Sequence, residues 1–166
     1  HLIVSVDSIS HALWGKGLFG YRKYKWLPMF FGAIPDLSSF GIYFFYKLIA
    51  SPTTIKFGPP PIEEIPAWVI TLYDISHSMI IAIIFIMLVY VVKRDLCFSM
   101  LAWPFHIILD FFTHEVGYFA TPIFWPIHDF KFDGIAWSEP SILIANIVCI
   151  YLVFVYRGKR NKQFKS

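Results

Sequence analysis

Histidines and aspartates recur within stretches of this sequence that are otherwise apolar. The residues in question are Asp7, His11, Asp36, Asp74, His77, His106, Asp110 and His114. Ionisable side chains inside apolar spans are costly to bury and by default indicate a functional site. The same stretches lack basic partners, apart from Lys47, which lies close enough to the end of its stretch to reach the interface. Because a bound metal ion would supply the missing positive charge, the pattern predicts a metal site.

The spacing of these residues follows the helical repeat. His106, Asp110 and His114 are four residues apart in sequence, which places them on one helix face within roughly 80° of arc. Asp7 and His11 have the same spacing. Aspartate or histidine occurs in four separate segments, an arrangement typical of sites built between facing helices of a bundle.

We expect the metal ligands to be the five residues whose joint occurrence is hardest to ascribe to chance: His11, Asp36, His77, His106 and Asp110. We expect three further residues to contact the ligands without binding the metal themselves: Asp7, Asp74 and His114. A membrane histidine near the end of a span, however, also commonly forms a hydrogen bond between helices.

The composition explains what must surround such a site. The 166 residues are 57% hydrophobic and 20% aromatic, with 15% charged. An average soluble domain is about 45–50% apolar and about 25% charged. A chain of this length cannot cover so much apolar surface in one soluble core, so the excess is expected to face lipid.

Apolar stretches long enough to cross a bilayer predict the architecture. The clearest are Trp26–Ala50, Ile65–Val92, Leu96–His114 and Ser138–Tyr156, and Leu2–Trp14 is expected to be a short span or a re-entrant helix. The predicted fold is therefore all-α, a polytopic transmembrane helix bundle of four to five helices. Residues 1–166 are expected to form a single integral membrane domain.

Lysine and arginine cluster at residues 16–25, at 93–94 and at 157–165. If the last four stretches cross in alternating directions, all three clusters lie on one side, and the positive-inside rule assigns that side to the cytoplasm. Residues 157–166 are accordingly predicted to be a basic cytoplasmic tail of a multi-pass protein.

The order of these residues resembles a bacterial family. His11, Ile34-Pro35-Asp36-Leu37, His77-Ser78 and His106-x-x-x-Asp110 resemble the motifs of the LexA-binding, inner-membrane-associated metal-dependent hydrolases. The resemblance extends from His11 to about Pro126. It implies a metal-dependent hydrolase of the inner (cytoplasmic) membrane.

The ligand order is also similar to that of zinc-dependent phospholipase C. That similarity implies one zinc held by Asp36, His77, His106 and Asp110, and a second held by His11 with Asp110 bridging. Asp36 would also serve as general base, so the similarity makes Asp36 and Asp110 the candidate catalytic groups. The N-terminal tryptophan and the third-zinc ligands of that family have no counterpart in this sequence, so one or two divalent ions, most simply zinc, are expected.

The predicted function is hydrolysis of a phosphoric ester bond in a lipid or lipid-linked substrate through a metal-activated water. Membrane lipid is the expected substrate or solvent, and no nucleic-acid partner is expected. Two alternatives remain open. Chains of histidine and aspartate also form relays in transporters of divalent ions or protons, and the name of the family suggests a non-catalytic membrane partner of a regulator. No protein partner is predicted from the residues.

Overall fold

A computed structural model describes residues 2–51 and 60–163, with side chains from Asp7 to Ser51 and from Pro60 to Arg160. The regular structure of these residues is helical, which confirms the all-α prediction. The helices are α1 (Leu2–Phe19), α2 (Leu27–Asp36), α3 (Ile42–Ala50), α4 (Ala67–Ser76), α5 (Met79–Val92), α6 (Arg94–Met100), α7 (Ala102–Thr113) and α8 (Pro140–Gln163). A π-helical turn, Leu37–Gly41, joins α2 to α3, and a 3-10 turn, Ile62–Glu64, precedes α4.

Two glycines allow α1 and α2 to pack with their backbones in contact. A Cβ atom added to Gly15 would lie 2.2 Å from the carbonyl oxygen of Pro28, and one added to Gly32 would lie 2.4 Å from the carbonyl oxygen of His11. Small residues at such crossings let helices approach closely, as in membrane helix pairs. This close packing brings the middle of α1, which contains His11, against the half of α2 that ends at Asp36.

The long helical stretch from Leu27 to Ala50 is interrupted by the π-helical turn directly after Asp36. The Ser39 hydroxyl donates to the Pro35 carbonyl at 3.0 Å, and the Ser38 hydroxyl donates to the same oxygen at 3.0 Å. Inserted turns of this kind are frequently found at functional sites. Here the π-helical turn begins directly after Asp36, which is one of the predicted metal ligands.

A break at His77 and Ser78 divides the predicted span Ile65–Val92 into α4 and α5, whose axes are bent by 58°. The Ser78 hydroxyl caps α5 by accepting from the Ile81 amide at 3.2 Å, and it donates to the Trp125 carbonyl at 2.5 Å. Serine is a favoured N-cap because its oxygen satisfies an amide that the helix leaves unpaired. The break places His77 outside regular helix, in the interior of the bundle.

Helices long and apolar enough to cross a membrane number two among the described residues, Arg94–Thr113 and Pro140–Arg160, or three if the bent pair α4–α5 is counted as one span. Large apolar side chains on these helices point outward: Val92 is 87% exposed and Tyr151 is 66% exposed. Contiguous exposed apolar surface of this kind marks contact with a membrane or a partner.

The three basic clusters lie together at one end of the bundle. Lys23 forms an ion pair with Asp95, and the Arg157 guanidinium donates to the carbonyl oxygens of Gly17 and Leu18 at 3.1 and 3.2 Å. The hydrogen bond to Asp95 raises the pKa of Lys23. Helix α8 continues through the predicted tail to Gln163, and residues 164–166 lie outside the described part of the chain.

Candidate metal centre

Four predicted ligands meet in the interior of the bundle although they come from three separate segments. Asp36 ends α2, His77 follows α4, and His106 and Asp110 lie one turn apart on α7. All four are buried. The helical spacing of His106 and Asp110 presents both side chains to the same point, and the break after Ser76 points His77 at them.

The ligand atoms are separated by distances that suit one tetrahedral ion. His77 Nε2 lies 3.2 Å from His106 Nε2 and 3.2 Å from Asp110 Oδ2, while His106 Nε2 lies 3.0 Å from that same oxygen. Asp36 Oδ1 lies 3.6 Å from His77 Nε2 and 3.7 Å from His106 Nε2. An ion with bonds of about 2.0–2.1 Å to four tetrahedral ligands separates them by about 3.3 Å. The observed distances lie on either side of that value.

Backbone acceptors fix which nitrogen of each imidazole faces the centre. His106 Nδ1 lies 2.7 Å from the Gly32 carbonyl oxygen, and His77 Nδ1 lies 3.0 Å from the Tyr73 carbonyl oxygen. Because a carbonyl oxygen only accepts, both Nδ1 atoms carry the hydrogen and both Nε2 atoms present a lone pair. This arrangement is typical of metal-binding histidines, whose other nitrogen is held by a second partner.

Asp110 presents its two oxygens to two different groups of ligands. Oδ2 belongs to the tetrahedral set, whereas Oδ1 lies 3.1 Å from His11 Nε2 and 3.6 Å from His114 Nδ1. His11 Nε2 is also 3.6 Å from Asp7 Oδ1. Asp7, Asp110 and His114 form a second group able to hold an ion. Asp110 is thus positioned as a bridge between two adjacent sites.

Several buried polar atoms of the cluster lack hydrogen-bond partners in the described structure. They include both carboxylate oxygens of Asp110, Nδ1 of His11 and Nδ1 of His114. A buried carboxylate without hydrogen bonds is strongly unfavourable unless a cation compensates it. The residues therefore fit a bound divalent metal, and their mixture of imidazole and carboxylate suits zinc.

A cavity of about 200 Å³ connects the ligand cluster to the far end of the bundle from the basic clusters. Asp7, Asp36 and His114 line it, together with Tyr73 and Tyr118. Burial raises the pKa of Tyr118 to about 12, so its hydroxyl remains a neutral donor, here to the Pro60 carbonyl at 3.0 Å. The cavity adjoins the ligand cluster on the side of Asp7, Asp36 and His114.

His114 joins the cluster by a different route from the one its spacing predicts. Helix α7 ends at Thr113, and His114 has an extended backbone with φ of −113° and ψ of 139°. The Gly134 amide donates to the His114 carbonyl at 2.9 Å, which holds the residue against the end of the helix. Its imidazole still reaches Asp110 and Asp7, so His114 is placed as a ligand of the second group.

Asp74 does not join the cluster. It lines a separate cavity with Lys131 and Val116, and neither metal-binding group in the described structure includes it. Asp74 is three residues before His77 in sequence, but His77 lies beyond the end of α4, so the two do not share a helix face. His128, another histidine of the chain, is exposed.

The sequence did not single out Ser8, whose hydroxyl donates to Asp36 Oδ2 at 2.6 Å. It also did not single out Ser76, whose hydroxyl lies 3.0 Å from His77 Nδ1. Each serine is adjacent in sequence to a predicted site residue, Asp7 or His77. That adjacency was the one signal in the sequence that pointed to them.

Comparisons with known protein families, with curated proteins and with solved structures found no match. The resemblance to membrane-associated metal-dependent hydrolases stays a prediction. The functional proposal therefore depends on the geometry of the ligand cluster and on the surfaces around it.

Proposed function

We propose that this protein is a membrane-embedded, metal-dependent hydrolase that cleaves a phosphoric ester bond in a lipid or lipid-linked substrate. One observation carries the proposal: three buried ligand atoms, of His77, His106 and Asp110, lie 3.0–3.2 Å apart, and Asp36, farther from the two imidazoles at 3.6 and 3.7 Å, lines an adjoining cavity. Structural metal sites have no access to substrate, whereas catalytic sites keep a position open. A centre adjoining a cavity supports the catalytic alternative.

A divalent ion bound there would polarise a phosphoryl oxygen and lower the pKa of coordinated water to about 7. The residues of the chain then have separable roles. Asp36 lines the cavity and is the candidate general base, with its Oδ2 oriented by the Ser8 hydroxyl. Asp110 is fully buried, and its two oxygens face the two ligand groups, which supports a bridging role. Asp7 and His114 extend the cluster toward the cavity.

We also propose that α1 and the α2–α3 stretch complete a bundle of four to five membrane-embedded helices. Both stretches carry buried ligands and pack against α7, so they share its surroundings. The common position of the three basic clusters supports an inner-membrane protein with a cytoplasmic C-terminus. The metal centre would then open toward the opposite side of the membrane.

Transport of a divalent ion or proton is the alternative function. A path across the bundle would have to pass the basic end, where Phe31, Met100 and Ala102 form a buried apolar cluster. Ion pathways are lined by polar groups or water-filled cavities. The apolar cluster between the ligands and the basic end supports hydrolysis over transport.

Metal content and phosphoester hydrolysis, measured on the same purified protein in lipid nanodiscs, test the proposal. The wild type is expected to contain zinc or another divalent metal and to lose activity when treated with a chelator. His106→Ala is expected to lose both the metal and at least about 100-fold in rate. His128→Ala, which removes an exposed histidine, is the matched control and should retain both.

Full activity in metal-free protein would overturn the proposal. So would ion flux in liposomes that depends on His106 and occurs without ester cleavage.

A further inference from the structure

A second cavity, of about 320 Å³, opens on the side of the bundle between α1 and the π-helical turn. Its walls are largely apolar and include Ile9, Leu37, Phe40, Phe44 and Phe45. Ile9 is 58% exposed and Phe45 is 65% exposed, so the cavity opens outward. On a membrane-embedded bundle, such an opening faces the acyl region of the bilayer.

This lateral cavity shares part of its lining with the cavity at the metal centre. Asp36 and Phe40 contribute to both cavities. The inner end of the lateral cavity is polar because Ser8 lines it and donates to Asp36. A ligand that occupied both cavities would need a polar group at the metal centre and an apolar part that extends sideways.

We propose that the lateral cavity binds the hydrocarbon chain of a single-chain or multi-chain amphiphile whose phosphate is cleaved at the metal centre. The inference rests on the proposed function, and it adds the place at which the aliphatic chain of the phosphate ester binds. Apolar walls leading to a few convergent polar groups are the general form of a small-molecule site. The cavity lies far from the basic clusters along α1, which places the chain in the leaflet away from them.

Gly41 gives a direct test because it lies in the cavity wall without filling it. A Cβ atom at Gly41 would meet Leu37 side-chain atoms at 3.4 and 3.5 Å, which is ordinary van der Waals contact. The nearest backbone atom to that Cβ is the Asp36 carbonyl oxygen at 3.7 Å, so a side chain can begin at Gly41 without a backbone clash, and leucine adds bulk to the cavity wall. Gly158 on α8 has nothing within 4 Å of its added Cβ and provides the matched control.

The measured quantity is the ratio of two hydrolysis rates, one for a long-chain alkyl phosphate ester in nanodiscs and one for a water-soluble aryl phosphate ester. Gly41→Leu is expected to lower this ratio about tenfold, the loss expected when roughly two methylene groups are denied burial. Gly41→Ala should lower it less, and Gly158→Leu should leave it unchanged. An unchanged ratio in folded, metal-loaded Gly41→Leu would overturn the proposal.

A binding experiment separates this inference from the proposed function. A hexadecyl phosphonate with a diazirine near the phosphonate end of its chain cannot be hydrolysed and cross-links to whatever surrounds that part of the chain. In wild type and Gly158→Leu, we expect labelling concentrated on residues 8–9 and 37–45, and in Gly41→Leu we expect that labelling to fall. If this labelling occurred in a protein without hydrolase activity, the result would support the chain-binding cavity and contradict the proposed hydrolase function. Equal labelling of the outer faces of α5 and α8 would reject the chain site.

Discussion

The Nε2 atoms of His77 and His106 face each other at 3.2 Å in the interior of the bundle. Two imidazole lone pairs at this separation repel unless a proton or a cation lies between them. Both rings contact backbone carbonyl groups, of Tyr73 and Gly32, through their Nδ1 atoms, and the Ser76 hydroxyl also contacts Nδ1 of His77. The orientation of the pair is therefore a property of the helix packing, and the carboxylates of Asp36 and Asp110 make a divalent cation the better occupant.

The hydrogen bond from Ser8 to Asp36 is expected to position the general base. Ser8→Ala should lower the hydrolysis rate about 10- to 100-fold while the metal content remains at the wild-type level, since outer partners of ligands have effects of that size. Ser38→Ala is the control, because its hydroxyl bonds only the Pro35 carbonyl among the contacts described. Loss of metal in Ser8→Ala would instead show that Ser8 holds Asp36 as a ligand.

The bridging position of Asp110 predicts two ions. Elemental analysis of the wild type should give about two metal atoms per chain. His11→Ala and Asp7→Asn should each lower the value to about one, because both residues lie on the Oδ1 side of Asp110. Asp129→Asn, an exposed acid, is the control. One atom per chain in the wild type, unchanged in His11→Ala, would contradict a second site.

Gly32 is expected to be intolerant of even the smallest side chain. Alanine normally stabilises a helix by about 1 kcal/mol relative to glycine. At Gly32, however, the new Cβ would lie 2.4 Å from a backbone oxygen, which forces α1 and α2 apart. Gly32→Ala should lower the free energy of unfolding by about 1–3 kcal/mol and weaken metal binding, whereas Gly158→Ala should be neutral or stabilising. Thermal unfolding in detergent measures both, and equal melting temperatures would argue against the close crossing.

The position of the basic clusters predicts the topology. In a variant without the free cysteines Cys97 and Cys149, a cysteine replacing Asp129 should react with a membrane-impermeant maleimide in intact cells. A cysteine replacing Lys159 should react only after the membrane is permeabilised. The reverse pattern would place the metal centre on the cytoplasmic side.

The ligand cluster could be predicted largely from residue type, because histidine and aspartate buried in apolar spans without basic partners need a cation to compensate them. The helical spacing of His106 and Asp110 was informative because both lie within α7. Asp74, which was predicted to support the ligands, lines another cavity near Lys131. His77 lies beyond the end of α4, so helical spacing does not place the two side chains on one helix face.

Other features of the site could not be read from residue types. Every residue has a carbonyl group, so nothing in the sequence indicates that those of Gly32 and Tyr73 hold the imidazoles. The number of spans was also uncertain for a physical reason. Helix α1 and the stretch from Leu27 to Ala50 carry ligands and breaks that lower their apolar character, although they pack in the same bundle as α7.

The π-helical turn after Asp36 has a consequence for how such a protein can diversify. One extra residue in a helix rotates everything beyond it by about 100° relative to what precedes it. Asp36 lies before the turn, while Phe40, Phe44 and Phe45 lie at its end or beyond it. The turn therefore changes the direction in which the apolar wall faces around the helix axis relative to the Asp36 carboxylate. Substitutions in the wall can accumulate without rotating the carboxylate, so selection on chain preference and selection on bond cleavage would act on separable parts of one continuous stretch.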